Sequence, residues 1–189
     1  MRSFLLVILT VLATQACSES DAVLKEAIDA VDANVVFMRH AVAPGFGDPD
    51  NFSLSDCSTQ RNLDTRGRKQ ARAIGASIQK SGIRFDQILS SEWCRCKETA
   101  EKLGFGLPVQ EASLNSFFDD MRQGPQSNVR LQKFIANQLK TKQDKALILV
   151  THHVNIAEFM GQNIGSGDMV LVKVDANGKA LSSKVYPSP

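Results

Sequence analysis

Apolar and polar positions divide this chain into three short hydrophobic runs separated by stretches of helical period. Residues 34–38 and 146–150 are largely apolar runs of strand length, and Phe85 to Leu89, although it holds Asp86 and Gln87, reads as a further buried strand. Each ends on chemistry rather than on turn residues: Arg39-His40, Ser90-Ser91 and Thr151-His152-His153. Helical spacing predicts a helix over 21–32 with Val23, Ala27, Ala30 and Val31 on its stripe. A second starts at Asp64 or Thr65, carries Ala71, Ile74 and Ile78 inward, and stops near Lys80 before Gly82. Others pass through Cys96, Thr99, Ala100 and Leu103, and over 127–140 with Val129, Leu131, Phe134, Ile135 and Leu139 inward. A short helix is expected over 154–160 and a brief strand near Val109. Residues 41–62 hold Pro44, Gly45, Gly47, Pro49 and Asn51, and loops of that length in a compact domain are usually functional. Two late apolar segments, 169–174 and 181–185, flank Asn177-Gly178 and predict a hairpin. Strands alternating with helices imply an α/β three-layer sandwich, its sheet mainly parallel and its hairpin an antiparallel edge.

Composition adds an address. A 189-residue chain that is 43% hydrophobic has material for one core, and 12 Gly with 6 Pro indicate neither disorder nor a repeat array. A formal charge of +2 without a basic stripe excludes a nucleic-acid partner. Arg2, the apolar residues 4–12 and the small residues Ala13, Thr14 and Ala16 compose a signal peptide over 1–16, its apolar run too short to span a bilayer. Residues 21–189 then form a single domain, expected in the periplasm or otherwise exported. Cys17 would become the first residue, as in a bacterial lipoprotein, although Thr14-Gln15 departs from that motif; attachment to a membrane through a lipid and release as a soluble protein both stay open. In an oxidising compartment Cys57, Cys94 and Cys96 favour a disulfide over a metal site, because neither a CxxC spacing nor a suitably spaced histidine accompanies them.

The chemistry lies at the strand ends. All three histidines, His40, His152 and His153, follow predicted buried strands. Ligands of open α/β sheets bind outside the carboxyl ends of strands, so distant segments can deliver these imidazoles to one crevice. Arg39 adjoins His40, and Arg95 follows Ser90-Ser91 by about one helical turn. Guanidinium groups match phosphate oxygens in pairs and keep their charge, which favours a phosphate pocket over two unrelated surface arginines.

These residues resemble a family. Val35-Val-Phe-Met-Arg-His-Ala is similar to the signature strand of the histidine phosphatase, or phosphoglycerate-mutase-like, superfamily. Leu63-Asp-Thr-Arg-Gly-Arg-Lys-Gln-Ala, Ser90-Ser-Glu-Trp-Cys-Arg-Cys-Lys-Glu-Thr-Ala and Leu147-Ile-Leu-Val-Thr-His resemble its later motifs in the same order. The resemblance implies a phosphoglycerate-mutase-like fold and a metal-independent phosphatase without cofactor. In it His40 accepts the phosphoryl group, while Arg39, Arg95 and His152 hold the equatorial oxygens. The Arg-His-Ala start and the cysteine-bearing loop also resemble exported members acting on lipopolysaccharide core heptose phosphates, which implies a small phosphorylated substrate such as a sugar phosphate. Arg61, in the loop, is a candidate to extend the pocket, and Trp93 and Phe46 are candidates to line it. Cys57 pairing with Cys94 would pin the loop beside Arg95, with Cys96 as the alternative partner.

Departures from the family pattern leave the proton donor open. Ala41 stands where Gly is usual, and His153 stands where the acid-phosphatase branch has Asp. An imidazolium there could protonate the leaving group. Glu111, Asp119, Asp120 and Asp168 are the carboxylate candidates. The rival reading is a non-catalytic phospholigand- or glycan-binding module on the same fold, which would keep the arginines without needing a nucleophile.

Overall fold

A computed structural model describes residues 19–142 and 144–189. The expected signal peptide and Cys17 lie outside them. The chain runs α1 (Glu19–Val31), β1 (Val35–Arg39), α2 (Thr65–Lys80), β2 (Phe85–Ser90), α3 (Cys94–Lys102), β3 (Val109–Gln110), α4 (Gly124–Thr141), β4 (Ala146–Thr151), α5 (His153–Met160), β5 (Met169–Val174) and β6 (Ala180–Tyr186). Six strands form one mixed sheet in the order β3-β2-β4-β1-β5-β6. The first four are mutually parallel, and β5 and β6 add an antiparallel edge through the predicted hairpin.

Alternation along each strand builds the layers. Val36 and Met38 of β1, with Ile148 and Val150 of β4, face one core with Leu24, Ile74, Ile78 and Ala100 of α1–α3. Val35 and Phe37, with Leu147 and Leu149, face the opposite core with Leu131, Ile135 and Ile156 of α4 and α5. Successive side chains of a strand point to opposite faces, so a central strand covered on both sides must be apolar throughout. β4 is accordingly buried at every position.

Two helix faces differ from expectation. In α1 the inward stripe is Leu24, Ala27, Ile28 and Val31, while Val23 and Ala30 are exposed. Both sets fit a helical period, and the observed one buries the larger Leu and Ile at i, i+3, i+4 and i+7. In α4 the expected inward Val129 is exposed, because Leu131 and Ile135 already fill the contact. α2 begins as predicted: the Asp64 carboxylate caps it by accepting from Gly67 N at 2.8 Å. Gly67 is a close-approach position, where a Cβ would stand 2.0 Å from the Val42 carbonyl oxygen. α2 thereby abuts the chain just after His40, and Gln70 Oε1 accepts from Val42 N.

The long loop over 41–62 contains only one short 3₁₀ turn, Cys57–Thr59, and is tied down by a disulfide from Cys57 to Cys94. The bridge closes a separation of 37 residues. Its removal in a Cys57→Ser variant is expected to lower unfolding free energy by about 4 kcal/mol in the chain-entropy model. Urea denaturation with and without reductant measures this; an unchanged midpoint would show that the loop is held by its hydrogen bonds alone.

Candidate active site

β2, β4 and β1 are neighbours, and their carboxyl ends are level, with Arg39 beside Thr151 and Ser90 beside Val150. The segments leaving these ends therefore converge. His40 N donates to Thr151 O at 3.0 Å, and Ser91 N donates to Val150 O at 2.9 Å. The rings of His40 and His152 lie edge to face with centroids 5.5 Å apart. Segments more than a hundred residues apart in the chain thus form one site.

His40 is buried, and its Nδ1 stands 2.8 Å from the Ala41 carbonyl oxygen. A carbonyl only accepts, so that contact places the proton on Nδ1 and leaves the lone pair on Nε2. Burial, then the Arg95 charge, hold its pKa well below the ordinary histidine range; Arg39 and Arg61 act in the same direction. The imidazole is neutral at physiological pH, as a nucleophile must be.

His152 has the opposite tautomer. Its Nδ1 lies 3.3 Å from Arg95 Nη2, which can only donate, so its proton sits on Nε2. That proton is directed to Ser91 Oγ at 3.0 Å, whose hydroxyl donates to Asn115 Oδ1 at 3.1 Å. Asn115 is fixed in turn by its bond to Glu92 Oε2 and by Asn155, which donates to the Asn115 carbonyl. Cys96, a free buried thiol, has its sulfur 3.4 Å from His152 Nε2. Burial drives its pKa up to about 12, so it stays a thiol.

Arg95 is held at both ends. While Nη2 meets His152, Nη1 donates to both oxygens of Asp48, at 2.9 and 3.1 Å. Asp48 also accepts from Trp93 Nε1 at 3.1 Å and from Arg61 N at 2.9 Å. Burial alone would raise its pKa, but the Arg61 amide and the Arg95 guanidinium outweigh that and hold it ionised. The Arg95–Asp48 pair is nearly inaccessible, at 4% and 9% side-chain exposure, so it forms a rigid internal strut.

The other expected residues divide. Arg39 Nη1 donates to Ile164 O, and its Nε, like Arg95 Nε, is buried without an acceptor among the described residues. Arg61 belongs to the same cation cluster, yet its guanidinium braces the loop by donating to the Ala43 and Gly47 carbonyls. Trp93 is buried on Phe52 and serves Asp48, whereas Phe46 stands in solvent. His153 opens α5 beside the cluster; burial, then Arg39, Arg61 and Arg95, lower its pKa.

Three of the four carboxylate candidates bond backbone amides. Glu111 caps a turn through Ser113 N, and Asp120 caps another while pairing with Arg122. Asp168, although its charge reaches Arg39, accepts from Gly165 N and Ser188 N. Asp119 is exposed. A hollow of about 640 Å³ opens at the amino end of β2, but no histidine lines it. Sequence reasoning missed Asp48 and Asn115, whose loops carry no periodicity; the Gly-Asp-Pro turn was the one available sign of the former.

Comparison with known proteins agrees with this geometry. The sequence profile of the histidine phosphatase superfamily (branch 1) matches residues 35–125. No curated protein matches the sequence significantly. Solved structures with the same fold include the protein histidine phosphatase SixA complexed with tungstate, at 19% identity and a TM-score of 0.57, over 81% of this chain and 96% of that one. Mycobacterial glucosyl-3-phosphoglycerate phosphatase is similar at 16% identity and a TM-score of 0.59, over 81% and 96%. A phosphoserine phosphatase variant from Entamoeba histolytica, in complex with phosphoserine, follows at 14% identity and 0.58, over 78% and 93%. The chain thus matches the histidine phosphatase superfamily pattern over residues 35–125 and shares the fold of these solved structures over about four-fifths of its length.

Proposed function

We propose that this protein is a metal-independent phosphatase that hydrolyses a small phosphomonoester through a phosphohistidine at His40. One observation carries the reading: a neutral, desolvated imidazole, its Nε2 left without a proton, that feels the charges of Arg95, Arg39 and Arg61. With both buried histidines neutral, Arg39, Arg61 and Arg95 outnumber the carboxylates Asp48 and Asp168, so the cluster stays positive and suits a phosphate dianion. A binding module would have no use for a nucleophile so prepared. Fold neighbours whose names give small phosphate esters support the substrate class.

In the first step His40 Nε2 attacks phosphorus in line with the ester oxygen, and the P–O bond to the alcohol breaks. Charge spreading over the equatorial oxygens is met by Arg39 and Arg95, and by His152, whose Nε2 proton turns from Ser91 to the substrate. His153 gives its proton to the departing alkoxide. Burial, then the arginines, disfavour the imidazolium in the free protein, and a bound dianion opposes the arginines' part. Water then attacks the phosphohistidine, passes a proton to His153, and releases inorganic phosphate with His40 restored.

Four outcomes are expected. Because the His40 pKa is depressed, protonation removes the nucleophile only well below pH 6.5, so kcat/KM for p-nitrophenyl phosphate should stay level from neutrality to below that point. An acid limb at or above 6.5 would contradict the depressed pKa. Linkage gives the same sign for stability. The unfolded chain binds more protons than the native one below about 6.5, so unfolding free energy falls as pH drops through that value. His153→Ala should slow alkyl phosphates at least about tenfold more than p-nitrophenyl phosphate, whose leaving group scarcely needs a proton. Equal losses would return the donor role to a carboxylate. EDTA should leave turnover unchanged, and a loss restored by zinc or magnesium would refute metal independence.

Export is part of the proposal. Disulfides persist in oxidising compartments, and the Cys57–Cys94 bridge supports that address. The mass of the mature amino terminus distinguishes lipid on Cys17 from soluble release.

A further inference from the structure

Phe46 is 88% exposed, unusual for a phenyl ring on a loop so firmly tied. Gly45 and Gly47 on either side have φ of +95° and +67°, conformations that favour glycine, and they thrust Phe46 outward at the tip. The loop behind it cannot easily fold the ring away. Arg61 spans it through the Ala43 and Gly47 carbonyls, Asp48 accepts from Arg61 N, and Cys57 is bonded to Cys94.

The exposed ring begins a line of aromatic groups leading to the phosphate-binding cluster. Phe46 meets Phe118 edge to face, with centroids 5.1 Å apart, and Phe118 meets His153 at 5.7 Å. His153 adjoins His152, whose ring is 5.5 Å from His40. A phosphoryl group seated at His40 carries its alcohol away from the buried cluster, and the contact of Phe118 with His153 sets this pair of rings beside the proposed proton donor.

We propose that Phe46 and Phe118 form a subsite for a ring in the alcohol part of the substrate. The preferred phosphomonoester then carries a pyranose or an aryl ring, which lays an apolar C–H or π face against the two phenyl groups. This deepens, and rests on, the phosphatase reading above. A compact acyclic ester gives the two phenyl groups no ring face to pack against. Ring-to-ring contacts of this kind contribute about 0.5–1.5 kcal/mol each, up to roughly a tenfold preference apiece.

The test compares kcat/KM for four esters: a hexopyranose 1-phosphate, phenyl phosphate, glycerol 2-phosphate and phosphoserine. Wild type should favour the two ring esters. In Phe46→Ala and in Phe118→Ala the ratio of ring to acyclic efficiency should fall about five- to tenfold, mainly through KM. A larger fall for the pyranose than for the phenyl ester, or the reverse, identifies which ring the subsite serves. An unchanged ratio in both variants would overturn the proposal, as would an equal loss on all four esters, the mark of a merely structural role. If wild type turned over none of them, the phosphatase reading would fail separately. Phenyl phosphate binding, followed through Trp93 fluorescence, would still decide the subsite: the Kd must rise about five- to tenfold in Phe46→Ala, and an unchanged Kd refutes it.

Discussion

Replacing His40 by alanine is expected to cut turnover of p-nitrophenyl phosphate by about 10⁴-fold or more, to the background rate, in a protein that remains folded. Removing a nucleophile that works as one unit with its neighbours generally forfeits most of the catalysis it supports. Folding should suffer little. The imidazole is neutral in the native state, and its assigned hydrogen bond is the one from Nδ1 to the Ala41 carbonyl, worth about 1 kcal/mol net. Circular dichroism and a melting curve close to wild type, beside absent turnover, would locate the defect in chemistry. Substantial residual activity would move the nucleophile elsewhere.

Asp48→Ala should be the most damaging single change to stability in the site. It leaves the Arg95 guanidinium buried without its counter-charge, and breaking one side of such a pair typically costs about 3–5 kcal/mol. Trp93 Nε1 and Arg61 N lose their acceptor at the same time. Asp48 acts on the reaction through Arg95, as a positioning residue, so kcat/KM should also fall about 10²-fold. Asp48→Asn keeps an acceptor oxygen and the shape of the side chain and should recover part of both losses. Urea unfolding and steady-state kinetics on the two variants check this together. A loss below about 1 kcal/mol with unchanged kcat would mean that Arg95 is held by His152 and packing alone.

Much of the site could be read in the chain because its chemistry abuts strong local signals. His40 and His152 lie two residues beyond strong apolar runs that end at Met38 and Val150, Ser90 closes the more polar Phe85–Leu89 segment, and open parallel sheets gather such ends. The hairpin at Asn177-Gly178 and the Asp64 cap are likewise local, each settled within a few residues. Helix faces were harder. Val23 and Leu24 both suit a period of 3.6, and only the neighbouring layer decides which turns inward. Asp48 was out of reach for a different reason. Its role exists only in contact with Arg95, 47 residues away, and nothing in an aperiodic loop announces that pairing. Glu111, Asp120 and Asp168 drew attention as carboxylates near the motifs, yet each bonds backbone amides, which the spacing of acidic residues does not reveal. Arg61 shows a mixture: the cation cluster was anticipated, and the bracing of Phe46's loop was not.

The central claim is that a phosphoryl group rests covalently on His40 during turnover. Stopping the reaction within one turnover at alkaline pH, where phosphohistidine survives, and mapping peptides by mass spectrometry tests it most directly. The account predicts one added phosphoryl mass on the peptide containing His40, lost on brief acid treatment and absent from His40→Ala. An active protein that never carries the adduct, or carries it on His152, His153 or Ser91, would contradict it.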